Sequence, residues 1–109
     1  MNTTSPHPEQ ACPVTYCLNI IGGKWKPILL FLISHDVNRF GQLKRKISGI
    51  SKQVLTKQLR ELEEDQIIHR EVFEELPLRV EYTLTARGKT LLPIIQAMRD
   101  WGEMQLDKK

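Results

Sequence analysis

The apolar positions near the start of the chain recur with the period of an α-helix. Val14, Cys17, Leu18 and Ile21 stand at i, i+3, i+4 and i+7, which predicts a short amphipathic helix. The glycine pair at 22–23 ends it, because glycine is a poor helix former and a common residue after a helix C-terminus.

The next segment predicts a second helix that is apolar on most of its circumference. Pro27 stands in its first turn, where a missing N–H costs little. Leu30 and Phe31 fill the side opposite the main stripe, so we expect this helix to be buried nearly all round. The stripe itself consists of Trp25, Ile28, Leu29, Leu32 and Ile33.

Two more helices follow, separated by the three residues SGI, which leave room only for a tight turn. Phe40, Leu43 and Ile47 mark the first of them. Ser51 has the character of an N-cap, and the fourth helix is predicted from about Ser51 to Asp65. Its inward positions are Leu55, Leu59 and Leu62.

After the fourth helix the apolar period changes to two. The segments IIHREVF and LRVEYTL predict two strands, and the short EELP between them predicts a β-hairpin. The second strand alternates, with Leu78, Val80, Tyr82 and Leu84 on one face and Arg79, Glu81 and Thr83 on the other.

A last helix is predicted after the hairpin. Thr85 can cap it, and Pro93 within it predicts a kink or a break near Leu92. Its apolar positions are Leu91, Ile94, Ile95, Met98 and Trp101. The whole order predicts an α+β, mainly α fold: a winged helix-turn-helix with flanking N- and C-terminal helices.

Length and composition set the organisation. A chain of 109 residues with 40% hydrophobic content predicts one domain, over residues 12–107, and the polar segment 1–11 predicts a flexible N-terminal arm. No apolar run reaches the roughly 18 residues that span a bilayer. The N-terminus also lacks the basic and apolar regions of a signal peptide, so we expect a soluble, cytoplasmic protein without a membrane partner.

Charge is distributed unevenly along the chain. The net charge is only +3, yet the segment 39–60 carries seven bases and no acid, and ELEED directly behind it carries four acids. This order opposes the dipole of the fourth helix at both ends, so helix stability does not account for it. The seven bases are Arg39, Lys44, Arg45, Lys46, Lys52, Lys57 and Arg60.

Two short helices joined by a tight turn, the second capped and basic, predict a helix-turn-helix that binds DNA. Lysine and arginine neutralise phosphate or reach guanine, while glutamine bonds adenine. The hairpin would be the wing, with Arg79 following the DNA backbone and the acids Glu74 and Glu75 repelling phosphate at its tip. A solvated helix face is the simpler alternative for any single lysine. The predicted DNA-binding residues are Arg39, Lys44, Arg45, Ser51, Lys52, Gln53, Thr56, Lys57, Arg60 and Arg79.

The signals CPV, GGKW, RF, GIS, LTKQLRELE and VEYTLT, in that order, resemble the HxlR-type winged-helix transcription regulators, relatives of the MarR group. The resemblance extends from about Cys12 to Gly102. It implies a homodimer that binds a pseudo-palindromic double-stranded DNA operator through the fourth helix. It also implies pairing through the first and last helices, although a core role explains the same apolar residues equally well. The residues concerned are Val14, Leu18, Ile95, Met98 and Trp101.

The resemblance further implies that the cysteine of CPV senses oxidants or electrophiles, and Cys12 is its match. Pro13 as a first helical residue would place Cys12 at a helix N-terminus, where the dipole favours thiolate. An inert capping role is the alternative. Cys17 is the weaker redox candidate, since it lies within an apolar stripe. A bridge between the two within one chain is disfavoured by their spacing, so a disulfide, if formed, would join subunits.

Other functions find less support in the sequence. His7, His35 and His69 belong to no recognisable nucleophile, base and carboxylate series, and no CxxC or HxxxH spacing indicates a metal site. We therefore predict no enzyme activity, metal or cofactor. Two alternatives stay open: a winged-helix regulator that responds to a small ligand without redox chemistry, and a winged-helix module that binds protein.

Overall fold

The computed structural model describes residues 12–107, and within them the helices and strands follow the predicted order. The predicted arm over residues 1–11 lies outside the described residues. No single helix in the described part is long and apolar enough to cross a membrane; only the first two helices together reach that length and composition, and they are bent by 73°. The elements are α1 (Pro13–Ile21), α2 (Lys26–Ser34), α3 (Phe40–Lys46), α4 (Lys52–Glu64), β1 (Ile68–Phe73), β2 (Arg79–Leu84), α5 (Ala86–Lys89) and α6 (Leu92–Asp107).

Three predicted helix signals are confirmed. The Ser51 hydroxyl accepts a hydrogen bond from the backbone N–H of Val54 at 3.1 Å, and the Thr85 hydroxyl accepts one from the N–H of Gly88 at 2.9 Å. Each satisfies a donor that would otherwise have no partner at a helix start. The predicted break also occurs, since α5 and α6 are separate helices and Pro93 lies in the first turn of α6.

The turn between α3 and α4 is tight because its middle residue adopts a left-handed conformation. Gly49 has φ of +85°, a region that residues with a Cβ rarely adopt. On either side of it, Ile47 and Ile50 are 5% and 3% exposed and pack into the core. These two contacts fix the angle at which α4 leaves α3.

The core is organised around α2, which contacts α4, α6 and β2. Leu29 and Leu30 are completely buried, and Ile28 is the one exposed residue of the helix, at 39%, so burial nearly all round is confirmed except at Ile28. The three predicted inward leucines of α4 are confirmed in the core. The buried apolar residues are Ile21, Leu29, Leu30, Ile33, Leu43, Ile47, Ile50, Leu55, Leu59, Leu62, Ile67, Ile68, Tyr82 and Ile95.

One ion pair joins α2 to the acidic half of α4. Lys26 is buried, and its Nζ lies 2.7 Å from Oε1 of Glu61. The hydrogen bond from Lys26 lowers the pKa of the Glu61 carboxyl, and the nearby charges of Lys26 and Lys57 act in the same direction. One of the four acids that oppose the helix dipole, Glu61, is therefore explained by a tertiary contact.

The hairpin is a two-stranded antiparallel sheet in which Ile68 faces Leu84 and Phe73 faces Arg79. Its base is anchored to the helical body. Tyr82 is 8% exposed, and its N–H donates to the carbonyl oxygen of Asn38 at 2.9 Å.

The start of α5 packs directly against the start of the hairpin. The backbone N–H of Thr85 donates to the carbonyl oxygen of Ile67 at 3.0 Å, and the Thr85 hydroxyl donates to the carbonyl oxygen of Gln66 at 2.7 Å. A Cβ at position 88 would lie 2.1 Å from the same Ile67 oxygen, so only glycine fits there.

Candidate nucleic-acid interface

The outer face of α4 presents a continuous set of polar side chains. Because three leucines point inward, the intervening positions point to solvent, and all but Thr56 of the set are exposed. The Thr56 hydroxyl donates to the carbonyl oxygen of Lys52 at 2.8 Å, which leaves its methyl group and an oxygen lone pair for a partner. Five side chains border one shallow depression of about 330 Å³: Lys52, Gln53, Thr56, Lys57 and Arg60.

Helix α3 adds charge beside this depression. Lys44, Arg45 and Lys46 form its last turn and are exposed, where they complement the negative end of the helix dipole. Within residues 12–107, neither these three nor the bases of α4 have a carboxylate in ion-pair contact. We call the six bases Lys44, Arg45, Lys46, Lys52, Lys57 and Arg60 the open basic surface.

Arg39, at the start of α3, is turned toward the hairpin instead. Its Nη2 lies 3.3 Å from Oε2 of Glu81 on β2. The Gln42 side chain accepts the backbone N–H groups of Asn38 and Arg39, both at 3.2 Å, and so caps α3 from within. Arg39 is half exposed but already has an acidic partner.

Arg79 lies on the hairpin, as predicted, but within a cluster of acids. Its Nη2 is 2.7 Å from Oε2 of Glu75, its Nη1 hydrogen-bonds Glu81, and its guanidinium lies 3.9 Å from the centre of the Phe73 ring. Both carboxylates raise the pKa of Arg79, and the Arg79 hydrogen bond lowers the pKa of Glu75. With Arg39 included, the wing cluster (Arg39, Glu75, Arg79 and Glu81) is electrically balanced.

The sequence analysis missed Arg70, a second arginine on the hairpin. It faces Tyr82 across the sheet and is exposed, and its Nε lies 3.9 Å from Oε1 of Glu63 on α4. The signal was present, because IIHREVF places an arginine within the first strand beside the basic helix. Counting only Arg79 as the base of the wing left it out.

The two thiols lie in different surroundings. Cys12 is exposed at the N-terminus of α1, where the Thr15 hydroxyl first, and then the backbone N–H groups of Thr15 and Val14, lower the pKa of the thiol. Cys17 is half-buried and packs against the core, and it lines a groove of about 230 Å³ between α1 and α6 together with Arg87. Both cysteines are free thiols.

Helices α1 and α6 expose large apolar side chains. Val14 and Trp101 are 67% and 66% exposed. Ile95 was expected at the dimer interface, but it is only 4% exposed and belongs to the core of its own protomer. Ile94 takes the outward position, because it shares a helix face with Met98 and Trp101 whereas Ile95 lies about 100° around the axis. The exposed apolar residues of the two helices include Val14, Leu18, Ile94, Met98, Trp101, Met104 and Leu106.

Within residues 12–107 no group of three or more histidine, cysteine or acidic side chains lies close enough to hold a metal ion. The described surface offers positive charge, hydrogen-bonding groups and one exposed thiol.

A helix-turn-helix with an open basic surface, followed by a two-stranded wing, defines a winged-helix transcription regulator. More narrowly, the chain belongs to the HxlR-like helix-turn-helix family, whose sequence model matches residues 20–109. The predicted resemblance and fold are thereby confirmed.

Relatives of known sequence and of known structure are also named as regulators. The chain is 48% identical over 99 residues to the HTH-type transcriptional regulator YdeP of Bacillus subtilis strain 168, covering 91% of this chain and 77% of YdeP. The redox regulator HypR in its oxidised form is 49% identical with a TM-score of 0.81, over 85% of this chain and 96% of that one. The reduced form of the transcriptional regulator YodB from B. subtilis is 32% identical with a TM-score of 0.71, over 84% and 91%. The family and these relatives are transcription regulators, not enzymes.

Proposed function

We propose that this chain is a homodimeric, sequence-specific regulator that reads a pseudo-palindromic operator with α4 and is switched through Cys12. The open basic surface carries the proposal, since it is exposed, free of acids and centred on the second helix of a helix-turn-helix. Positive charge of this kind is what a phosphate backbone requires, and the polar residues among it supply base recognition.

Roles on α4 follow from side-chain chemistry. Lys52 and Lys57 neutralise phosphates on either side of the major groove. Gln53, near the helix N-terminus, offers an acceptor and a donor that match the edge of adenine, and the Thr56 methyl can contact thymine. Lys44 and Arg45 on α3 then bind the backbone alongside.

The exposed apolar faces of α1 and α6 support pairing of two copies. Contiguous exposed apolar side chains of this size are uncommon on a surface that stays in water. A two-fold dimer built on them would present two α4 helices to successive major grooves, which matches a palindromic site. The interface residues we expect are Val14, Leu18, Met98 and Trp101, with Ile94 in place of Ile95.

Cys12 is the proposed switch. Its lowered pKa increases the thiolate fraction at neutral pH, and its exposure leaves it accessible to reagents. A hydroperoxide would oxidise the thiolate by two electrons to sulfenic acid, and a second thiol would then displace water to form a disulfide. HypR, described as a redox regulator, supports this chemistry by its similarity.

Either thiol of the partner copy could supply the second sulfur. A disulfide near the paired helices would change the separation of the two α4 helices, and a differential binding energy of about 1 to 3 kcal/mol would alter operator occupancy.

The test is fluorescence anisotropy of labelled DNA from upstream of the protein's own gene, titrated with reduced and with diamide-treated protein. We expect tight, salt-dependent binding by the reduced protein and a change of about tenfold or more on oxidation. Cys12→Ser should abolish the response to diamide. Cys17→Ser then identifies the second sulfur: a retained response assigns it to the partner's Cys12, and a lost response assigns it to Cys17. Unchanged affinity after oxidation would remove the switch and leave Cys12 as a helix cap.

Analytical ultracentrifugation tests the dimer separately. Trp101→Glu should shift the protein from two copies toward one, since it places a charge within the apolar face. Thr83→Glu, at an exposed position on β2 and outside α1 and α6, adds the same charge as a control. A wild-type protein that sediments as one copy at micromolar concentration would contradict the proposed dimer.

A further inference from the structure

A cleft lies between α4 and the hairpin that forms the wing. It has a volume of about 380 Å³, and α4 supplies Arg60 and Glu63 to one wall while the hairpin supplies Arg70 to the other. Leu59 and Tyr82, both in the core, also line it. Its lining is more polar than that of the groove between α1 and α6.

The charges in the cleft do not cancel. Arg60 has no ion pair in the described part of the chain. The one ion pair of Arg70 among those residues is with Glu63, and its distance of 3.9 Å is too long for a hydrogen bond. Two guanidinium groups face one carboxylate, so one positive charge is left over. Arginine has a planar fork of donors that suits phosphate oxygens, and the two side chains project from α4 and from β1.

We propose that this cleft seats one phosphate of the DNA backbone between Arg60 and Arg70. The inference rests on the proposed function, because it assumes that α4 enters the major groove. The sugar-phosphate strand that borders that groove then passes between α4 and the hairpin, where the cleft lies. A phosphate diester carries a single negative charge, which equals the charge that the cleft leaves unbalanced.

Glu63 has a defined part in this arrangement. Its carboxylate is the nearest acid to Arg70, and it lies one turn after Arg60 on α4. An approaching phosphate must displace that contact and meets repulsion from the same group. Glu63 therefore weakens the phosphate seat, and its removal should strengthen DNA binding.

Arg70→Ala tests the seat by anisotropy against operator and random duplex. Loss of one phosphate contact should weaken binding to both duplexes by roughly fivefold to tenfold at about 0.1 M salt, and the log–log salt slope should become shallower by about 0.9. Glu63→Gln should strengthen binding to both by a few-fold. Lys89→Ala removes the same charge from an exposed position on α5. It should change the affinity and the salt slope much less than Arg70→Ala does.

A sharper measurement replaces one DNA phosphate at a time by a neutral methylphosphonate and compares the affinities of the modified duplexes. At one position per half-site the wild-type protein should lose clearly more affinity than Arg70→Ala does, since the variant keeps only the Arg60 contact with that phosphate. Equal losses for both proteins at every position would overturn the phosphate seat. Absence of salt-dependent duplex binding by the wild-type protein would instead overturn the proposed function itself.

Folding of the variants is monitored by thermal melting, and Arg70→Lys keeps the charge while removing the fork. Partial affinity with the wild-type salt slope is expected for Arg70→Lys, because lysine still neutralises the phosphate. A loss as large as that of Arg70→Ala, with an equally reduced slope, would contradict the assignment of a charge contact.

Discussion

The first half of α4 and the tip of the wing both carry cations, but their surroundings differ. On α4, Lys52, Lys57 and Arg60 point to solvent with no carboxylate in contact. On the wing, Arg79 is held by two carboxylates and lies over an aromatic ring. The same residue chemistry is thus available to a ligand in one region and engaged by the protein itself in the other.

This contrast shows that a count of basic residues does not measure capacity to bind phosphate. A cation that already has acidic partners must lose those contacts, and the acids remain to repel the incoming anion. A cation that faces water loses only hydration and releases counterions from the DNA. The wing cluster therefore engages its charges within the protein, whereas the open basic surface leaves its charges available to an anion.

Removing two cations from the open basic surface should have the largest effect. We expect the double variant Lys52→Ala, Lys57→Ala to bind any duplex roughly 50-fold more weakly at about 0.1 M salt, with a salt slope shallower by about 1.8. Anisotropy titrations over a range of salt concentrations measure both quantities. A change of less than threefold would show that these lysines face solvent only.

Gln53→Ala tests whether base recognition and phosphate neutralisation are carried by different residues of α4. Affinity for the operator should fall about tenfold, as expected for loss of one bidentate base contact, while affinity for random duplex stays nearly constant. Competition between the two duplexes measures the ratio. Equal losses on both would contradict a base-reading role for Gln53.

Glu61→Gln tests a charge on α4 that already has a partner, because Glu61 forms an ion pair with Lys26. Lys26 holds the pKa of Glu61 below its ordinary 4.5, so the carboxylate stabilises the folded state at neutral pH and this contribution is lost as pH falls through the folded pKa. Because Glu61 is partly exposed, we expect a loss of only about 0.5 to 1 kcal/mol at pH 7.

Urea unfolding at pH 7 and near pH 3 measures this pH dependence. The difference between Glu61→Gln and wild type should shrink at the lower pH, because the lowered pKa means that the contribution is lost as the carboxylate becomes protonated in the folded state. Glu64→Gln, at an exposed position without an ion pair in the described part of the chain, is the matched control and should change stability little at either pH. A loss that is independent of pH would mean that packing, not charge, accounts for it.

The smallest effect on DNA is expected from Arg79→Ala. Because its charge is already engaged by Glu75 and Glu81, affinity for duplex should fall only about twofold to threefold, through the two carboxylates that the change leaves unpaired. The salt slope should stay constant, because no phosphate contact is lost. The same titration measures it. If Arg79→Ala weakens binding as much as Lys57→Ala does, the predicted backbone contact of Arg79 is supported and the contrast between the two regions fails.

Much of the fold was predictable because the signals are local. The leucine spacing of α4, the Ser51 and Thr85 caps and the proline in α6 each act within one helical turn, so the sequence carries them directly. The open basic surface was predictable for the same reason, since acids are absent from that stretch and the helical period separates its faces.

The partners of the charges were not predictable. Lys26 with Glu61, and Arg39 with Glu81, are distant in sequence and meet only once the chain has folded. Ile95 and Ile94 illustrate a second limit. Two adjacent apolar residues give the same composition, and the 100° between them decides which one faces the core.

The close approach of Gly88 to the carbonyl oxygen of Ile67 has an evolutionary consequence. Every amino-acid replacement of this glycine adds at least a Cβ, so no missense change of its codon is neutral unless the backbone around it moves. Position 88 should accordingly vary less among descendants of this gene than the solvent-facing residues of α4, where a replacement meets no backbone atom. A survey of natural variants would then find a fixed residue beside the base of the wing, with sequence diversity on the outer face of α4.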